Sequence, residues 1–242
     1  AGRFLQHEFP QFGVLDGAEV SVRLRNGHRL GTSLGYIPVL YGSHAGTGDD
    51  LQTAVYYRAV SKDEKSNVGA GYQKSWHLGD ADRDLVILEG STRADNGFYF
   101  HSSAWIDLYD SNDPARSGTE LSRLVASGSY RNQDGNGWMV SLSQFRFPNL
   151  LQQQIFDPTA LVYTDKEVRR GDVSVFRKFT ADSTGTARAH LWNDEDNSGG
   201  GGELRWDTRN LWLERSRAGA AVFASQGQFS DLLGFRMDGG LS

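Results

Sequence analysis

The chain has 242 residues, a formal net charge of -5, 29 glycines, five prolines and no cysteine. The missing cysteines exclude a disulfide framework, a thiolate metal site and a cysteine nucleophile, and the lack of a basic surplus speaks against a nucleic-acid partner. No apolar run of about 18 residues or more occurs, so no transmembrane helix is expected. Alternating barrel strands of about 9–11 residues would escape that test, and a mean hydropathy of -0.51 does not separate the two cases.

In chain order, residues 1–15 are ambiguous. Phe4 and Phe9 fit either a first strand or a segment packed at a barrel mouth. Ala1 is compatible with the first residue after a cleaved leader. The segment Glu19–Arg25 then alternates, with Val20, Val22 and Leu24 opposite Glu19, Ser21, Arg23 and Arg25. Asn26-Gly27 follows, a strong two-residue hairpin signal. The return strand sets Leu30, Leu34 and Tyr36 against Arg29, Gly31, Ser33 and Gly35. After a polar loop at 41–50, Leu51, Val55, Tyr57 and Ala59 oppose Gln52, Tyr56 and Arg58.

The charged run SKDEKS leads to the segment Asn67–His77, and the acidic GDADRD at 79–84 leads to Leu85–Ala94. The tight turn Asp95-Asn96-Gly97 opens the most regular stretch, Gly97–Asn149. There Phe98, Phe100, Ala104, Ile106 and Leu108 oppose His101, Ser103, Trp105 and Asp107. Next, Leu124, Ala126, Gly128 and Tyr130 oppose Arg123, Ser127, Ser129 and Arg131; then Trp138, Val140 and Leu142 oppose Met139, Ser141 and Ser143. A period of two predicts strands with two different environments. Residues 148–167 are irregular, with room for one short helix limited by Pro158. Five further strand regions and a loop at 193–202 complete the chain, with an unsettled boundary around Asn210–Ser216.

Tight connections alternate with longer ones at 41–50, 79–84, 110–119, 148–167 and 193–202. In an up-and-down antiparallel sheet this puts the short turns on one edge and the long loops on the other, as transmembrane barrels do. The expectation is all-β: an up-and-down antiparallel transmembrane β-barrel of about 12 to 14 strands, with residues 1–242 forming one barrel domain. The charged faces supply ten candidates for lining a lumen: Arg23, Arg58, Arg93, Asp107, Arg123, Arg131, Arg188, Glu203, Arg205 and Asp207. The alternative is a soluble β-sandwich or jelly roll that binds or cleaves carbohydrate, with the apolar face as its core. Small residues on the apolar faces (Gly69, Gly71, Gly128, Ala187, Ala189) and aromatics near strand ends (Tyr36, Tyr130, Trp138, Trp192) weigh towards the barrel.

No nucleotide-binding, zinc-protease or serine-hydrolase motif is present. The six histidines form no ligand-spaced pair, and no metal or cofactor is expected. The acidic groups at Asp110–Asp113 and Asp194–Asp196 lack the ligand spacing of a calcium loop. They read as solvated loop charge. Glu89 and Asp107 are the carboxylate pair a glycosidase would use, but a charge pair with Arg93 is the simpler reading, and no enzyme is expected.

The stretch Phe98–Asn149, with its DLYD and YR strand ends and its returning SLSQFRFP, resembles the porin-like outer-membrane β-barrels of Gram-negative bacteria. The tail from ELRWDTRN through GQFSDLLGFRMDGGLS is similar in style. The resemblance implies residence in the outer membrane and a lumen that passes or is plugged against small solutes. It also implies lipid and lipopolysaccharide as neighbours, and protein partners if the barrel anchors a surface complex. One departure is the ending Gly240-Leu241-Ser242, where such barrels carry a terminal aromatic. Either the chain continues beyond Ser242 or the sheet closes differently.

Overall fold

The structure is a computed structural model that describes residues 2–38, 48–109, 118–146, 167–211, 214–228 and 230–241. The described residues are all-β apart from one 3-10 turn, Pro10–Phe12. The strands are β1 (Gly2–Leu5), β2 (Val14–Arg23), β3 (Arg29–Tyr36), β4 (Asp50–Val60), β5 (Ser66–His77), β6 (Asp80–Arg93) and β7 (Phe98–Tyr109). They continue with β8 (Gly118–Arg131), β9 (Gly137–Phe145), β10 (Val168–Lys178), β11 (Ser183–Asn193), β12 (Ser198–Arg209), β13 (Ser216–Gly227) and β14 (Ser230–Leu241). They form one 14-stranded sheet in sequence order, each strand beside the next. An even count in up-and-down order is the arrangement of bacterial single-chain barrels.

The turn chemistry explains where strands end. Gly27, with φ +81, closes the β2–β3 hairpin through its N–H to the Leu24 carbonyl at 3.1 Å. Gly135, with φ +87, does the same between β8 and β9, a backbone conformation that side chains disfavour. Two loops expected from sequence are not loops. Only Leu78 and Gly79 separate β5 from β6, so the acidic run that follows lies in β6. Likewise β12 begins at Ser198, and the glycines at 199–202 are strand residues. Their register explains the composition: Gly199 faces Trp192, Gly200 faces Leu191 and Gly201 faces His190. A Cβ on Gly199 would sit 2.7 Å from Trp192 Nε1, and one on Gly201 would sit 2.9 Å from His190 Cε1. The large β11 side chains use the space the glycines leave. The expected short helix at 148–167 and most of the 110–119 loop lie outside the described residues.

Contacts group the chain into two units. The first comprises Ala1–Thr92, Ser102–Leu124 and Arg146–Lys166; the second comprises Arg93–His101, Val125–Phe145 and Glu167–Ser242. In the first unit, the alternation separates an open apolar face from a covered polar one. Leu30 and Leu34 are 52% and 57% exposed, whereas Ser33 and Gln52 are 2% and 1% exposed. Val20, Val22, Val55 and Val68 join the open face; Gln73, Ser75, Ser103 and Asp107 join the covered one. In the second unit, Val173, Val175, Leu191, Leu204, Val222, Phe235 and Met237 are exposed along alternating positions. A soluble sandwich would bury these residues and expose the charged face. In the first unit the observed burial is the reverse; in the second both faces are open, and the apolar one is exposed all the same.

Two expectations about the faces are corrected, and one feature of the apolar face is new. Gly69 and Gly71 lie on the polar face, not the apolar one, because the rings of Phe9 and Phe12 occupy the space above them. Trp192 shares the strand face of Arg188 and His190 and so does not belong with outward aromatics. The apolar face is also not free of charge. Lys74 and Asp84 pair on it at 3.0 Å, beside the Leu78–Gly79 turn, with Lys74 over the Trp76 ring and Tyr72 bonded to Asp84.

Candidate functional site

The polar face of the first unit is covered by the chain's own N-terminal segment. β1 pairs with β2 only from Gly2↔Gly17 to Leu5↔Val14. Residues 6–13 then fold over the face. Phe9 and Phe12 stack with ring centroids 5.4 Å apart. They are buried with Ala54 and Tyr56 of β4 and Leu85 and Ile87 of β6, with Trp105 of β7 against the cluster. Gln52 Nε2 donates to the Phe12 carbonyl at 3.0 Å, and Ser33 Oγ donates to the buried Gln6 Oε1 at 2.6 Å. Phe4 therefore belongs to a strand, whereas Phe9 belongs to a plug.

The plug also answers an electrostatic problem that the strands create. Arg29 and Arg58 stand directly opposite in the β3–β4 register, and like charges so placed repel. Glu8 of the plug is ion-paired to both. On its other side, Arg58 reaches Glu89 of β6 across Gly69. Gln11 Nε2 donates to the same Glu89 carboxylate at 2.8 Å. Buried charges persist when paired and hydrogen-bonded, and this array alternates in sign from Arg29 to Glu89. Further along, Arg83 forks onto Asp107 through contacts of 2.6 and 3.0 Å. Asp107 is 1% exposed. The indole of Trp105 lies between the guanidiniums of Arg83 and Arg123, 5.9 and 4.9 Å from its centroid.

In the second unit the polar face carries short-range charge pairs between neighbouring positions on one strand. Arg170 forks onto Asp172 at 2.8 Å. Arg205 forks onto Asp207, and its Nη2 lies 3.4 Å from Asp238 of β14. Arg188 faces Glu203 in the β11–β12 register. Arg131 lies over the Phe176 ring at 5.8 Å, and Arg93 over Tyr99 at 5.9 Å.

Of the ten residues the sequence singles out, Arg58 and Asp107 are at the centre of the buried charge arrays. Arg205 and Asp207 pair with each other, and Arg188 and Glu203 are cross-strand neighbours. Arg93, Arg123 and Arg131 stack on aromatic rings. Arg23 sits at a hairpin end, 3.8 Å from Glu64. Glu89 pairs with Arg58 rather than with Arg93, and Asp107 with Arg83, so each of the two suggested glycosidase carboxylates is held by a different arginine. Asp110–Asp113 lie outside the described residues. Asp194 Oδ1 accepts the N–H groups of Asp196 and Asn197 at 2.9 and 2.6 Å, which makes it a turn-forming residue.

Sequence reasoning missed Glu8, Arg29, Arg83 and Gln11. Arg29 and Arg83 carried the alternation signal. Glu8 and Gln11 had none, because they act through a non-periodic segment. Comparison with known protein families, with curated proteins and with solved structures returns no match.

Proposed function

We propose that the chain is a bacterial outer-membrane β-barrel. On this reading the sheet closes by pairing β14 with β1, the apolar face meets lipid, and the polar face lines a porin-like path for small polar solutes. The observation that carries it is the inversion of burial in the first unit: Val20, Leu30, Leu34 and Val55 are exposed, whereas Ser33, Gln52, Gln73 and Asp107 are covered. Moving a Val or Leu side chain from water into an apolar medium is worth about 1.5–3 kcal/mol. A charge on the lipid face at midplane costs about 2–4 kcal/mol. Both terms favour this orientation in a bilayer and oppose it in water. The up-and-down order of fourteen strands supports the same reading.

The lipid neighbours follow from the apolar face and its edge. Lys74, Asp84 and Trp76 cluster beside a turn, where a paired charge and an indole suit the headgroup layer and lipopolysaccharide. The plug of residues 6–13 narrows the path and sets its basal conductance. A second reading, a barrel that anchors a larger surface complex, draws on that same plug, whose buried Phe9 and Phe12 fill space that a wide pore would leave open.

The test is purification with and without detergent, followed by reconstitution into a planar bilayer. A detergent-dependent, heat-modifiable protein with discrete conductance steps is expected. Monodisperse behaviour without detergent contradicts the membrane reading. A silent bilayer from both the intact chain and a Phe9→Ala/Phe12→Ala variant favours the anchor.

A further inference from the structure

We propose that Arg131 and Lys178 form a binding site for small oxyanions, phosphate or carboxylate groups, at the β8–β9 turn end of the polar face. The proposal rests on reading that face as a solute path, and it names the solute class. The two cations come from different strands and converge on a residue without a side chain. A Cβ on Gly135 would lie 3.8 Å from Arg131 Nη2 and 3.7 Å from Lys178 Cδ. The scaffold beneath is fixed by hydrogen bonds. The Lys178 N–H donates to Asn136 Oδ1 at 2.7 Å, and the Asn136 N–H donates to Asn132 Oδ1 at 2.8 Å. The Arg131 N–H donates to the Gly97 carbonyl at 3.1 Å.

The Arg131 guanidinium lies over the Phe176 ring. Phe176 in turn fills the space above Gly137, where a Cβ would be 2.7 Å from its Cζ. A guanidinium held by its face keeps its edge N–H groups free for a planar acceptor. An ammonium beside it adds a mobile point charge.

The neighbouring charges make the pair distinctive. Arg170 and Arg205 of the same unit are each held by a carboxylate two residues away. Arg131 and Lys178 have no ion-pair partner among the described residues. Asp134, the acid of the same turn, accepts from the Asn132 side-chain amide at 3.4 Å. Two like charges on side chains that flank one residue repel, and an anion between them relieves the repulsion. Both lie on the strand face opposite Trp138 and Val175, which are exposed on the apolar side. The anion is therefore a solute of the polar face. Arg93, over Tyr99 and likewise without an ion-pair partner, repeats the stacked arrangement on the same unit.

The test titrates the detergent-solubilised full chain with inorganic phosphate by calorimetry at low salt. Saturable binding is expected, weakened at least tenfold (about 1.4 kcal/mol) in Arg131→Gln/Lys178→Gln and weakened also by high salt. Both side chains are exposed, so the variant keeps its strand content by circular dichroism. Arg131→Lys, which keeps the charge and loses the fork, is expected to bind with intermediate affinity. Phosphate binding that is absent, or unchanged in the double variant, overturns the proposal. So does retention of phosphatidylglycerol through these two residues without competition by free phosphate, which assigns the pair to lipid headgroups. Bilayer conductance without phosphate binding sinks this site and leaves the barrel reading. Phosphate binding in a protein that needs no detergent sinks the barrel reading instead.

Discussion

At the residue scale, Glu8 has the most to account for. It meets two arginines that the β3–β4 register sets face to face. Removing one partner of a buried charge array costs about 3–5 kcal/mol, because the remaining charge is left uncompensated. Glu8→Ala is expected to destabilise by an amount in that range in urea unfolding from micelles, and Glu8→Ala/Arg29→Met to recover part of the loss. Gly71 gives a steric test of the plug. A Cβ there would sit 2.5 Å from Phe12 Cζ, and overpacking of this kind costs about 1–3 kcal/mol. Gly71→Ala is expected to lower stability by that amount, and the added Phe12→Ala to remove the clash, a non-additivity that a double-mutant cycle reads directly. Arg58 and Asp107 were legible in the sequence because strand alternation marks a polar face. Glu8 was not, because no periodicity reports a segment that folds back onto a face built by later strands.

At the element scale, the strands follow from period-two patterning, and the sheet order follows from short turns. The misplaced loops have physical causes. The glycines at 199–202 look like a loop by composition, yet they are required where Trp192, Leu191 and His190 lie across the neighbouring strand. The acidic run after Gly79 reads as a loop, yet it lies in β6, where Arg83 pairs with Asp107 and Asp84 with Lys74. The faces of β12 make a direct prediction. Leu204→Arg places a charge on the apolar face and is expected to cost about 2–4 kcal/mol in unfolding from liposomes. Thr186→Arg, on the polar face of β11, is expected to cost far less in the same assay.

The β4–β5 turn makes a pH prediction. The Ser61 hydroxyl and then the Lys65 N–H bond to the Asp63 carboxylate, holding its pKa below the ordinary 3.8. A lowered folded pKa means stabilisation that is present above the unfolded value and lost as pH falls through the folded one. Hydrogen exchange of the turn amides is expected to differ between wild type and Asp63→Asn above about pH 4, and to converge as pH falls through the lowered folded pKa.

At the scale of the whole molecule, function depends on which face meets what. In each unit one face of the sheet exposes apolar residues and the other carries most of the charges, with Lys74 and Asp84 the exceptions in the first. This was only half legible in the sequence, because alternation shows two faces without saying which is covered. In the first unit burial decides that question, and the N-terminal plug helps to produce it. If the polar face is a solute path, Phe9→Ala/Phe12→Ala is expected to raise single-channel conductance over wild type. Equal conductances would place the plug off the path.

The central claim is tested most directly by spin labelling along β12. The chain has no cysteine, so single substitutions from Glu203 to Asp207 each give one label. In liposomes, labels at Leu204 and Trp206 are predicted to be reached by oxygen dissolved in the lipid, and labels at Glu203, Arg205 and Asp207 by a water-soluble nickel chelate. Accessibility that alternates in this sense supports the barrel. Uniform access of the nickel chelate to all five positions, or a chain that stays in solution and does not enter the liposomes, would contradict it.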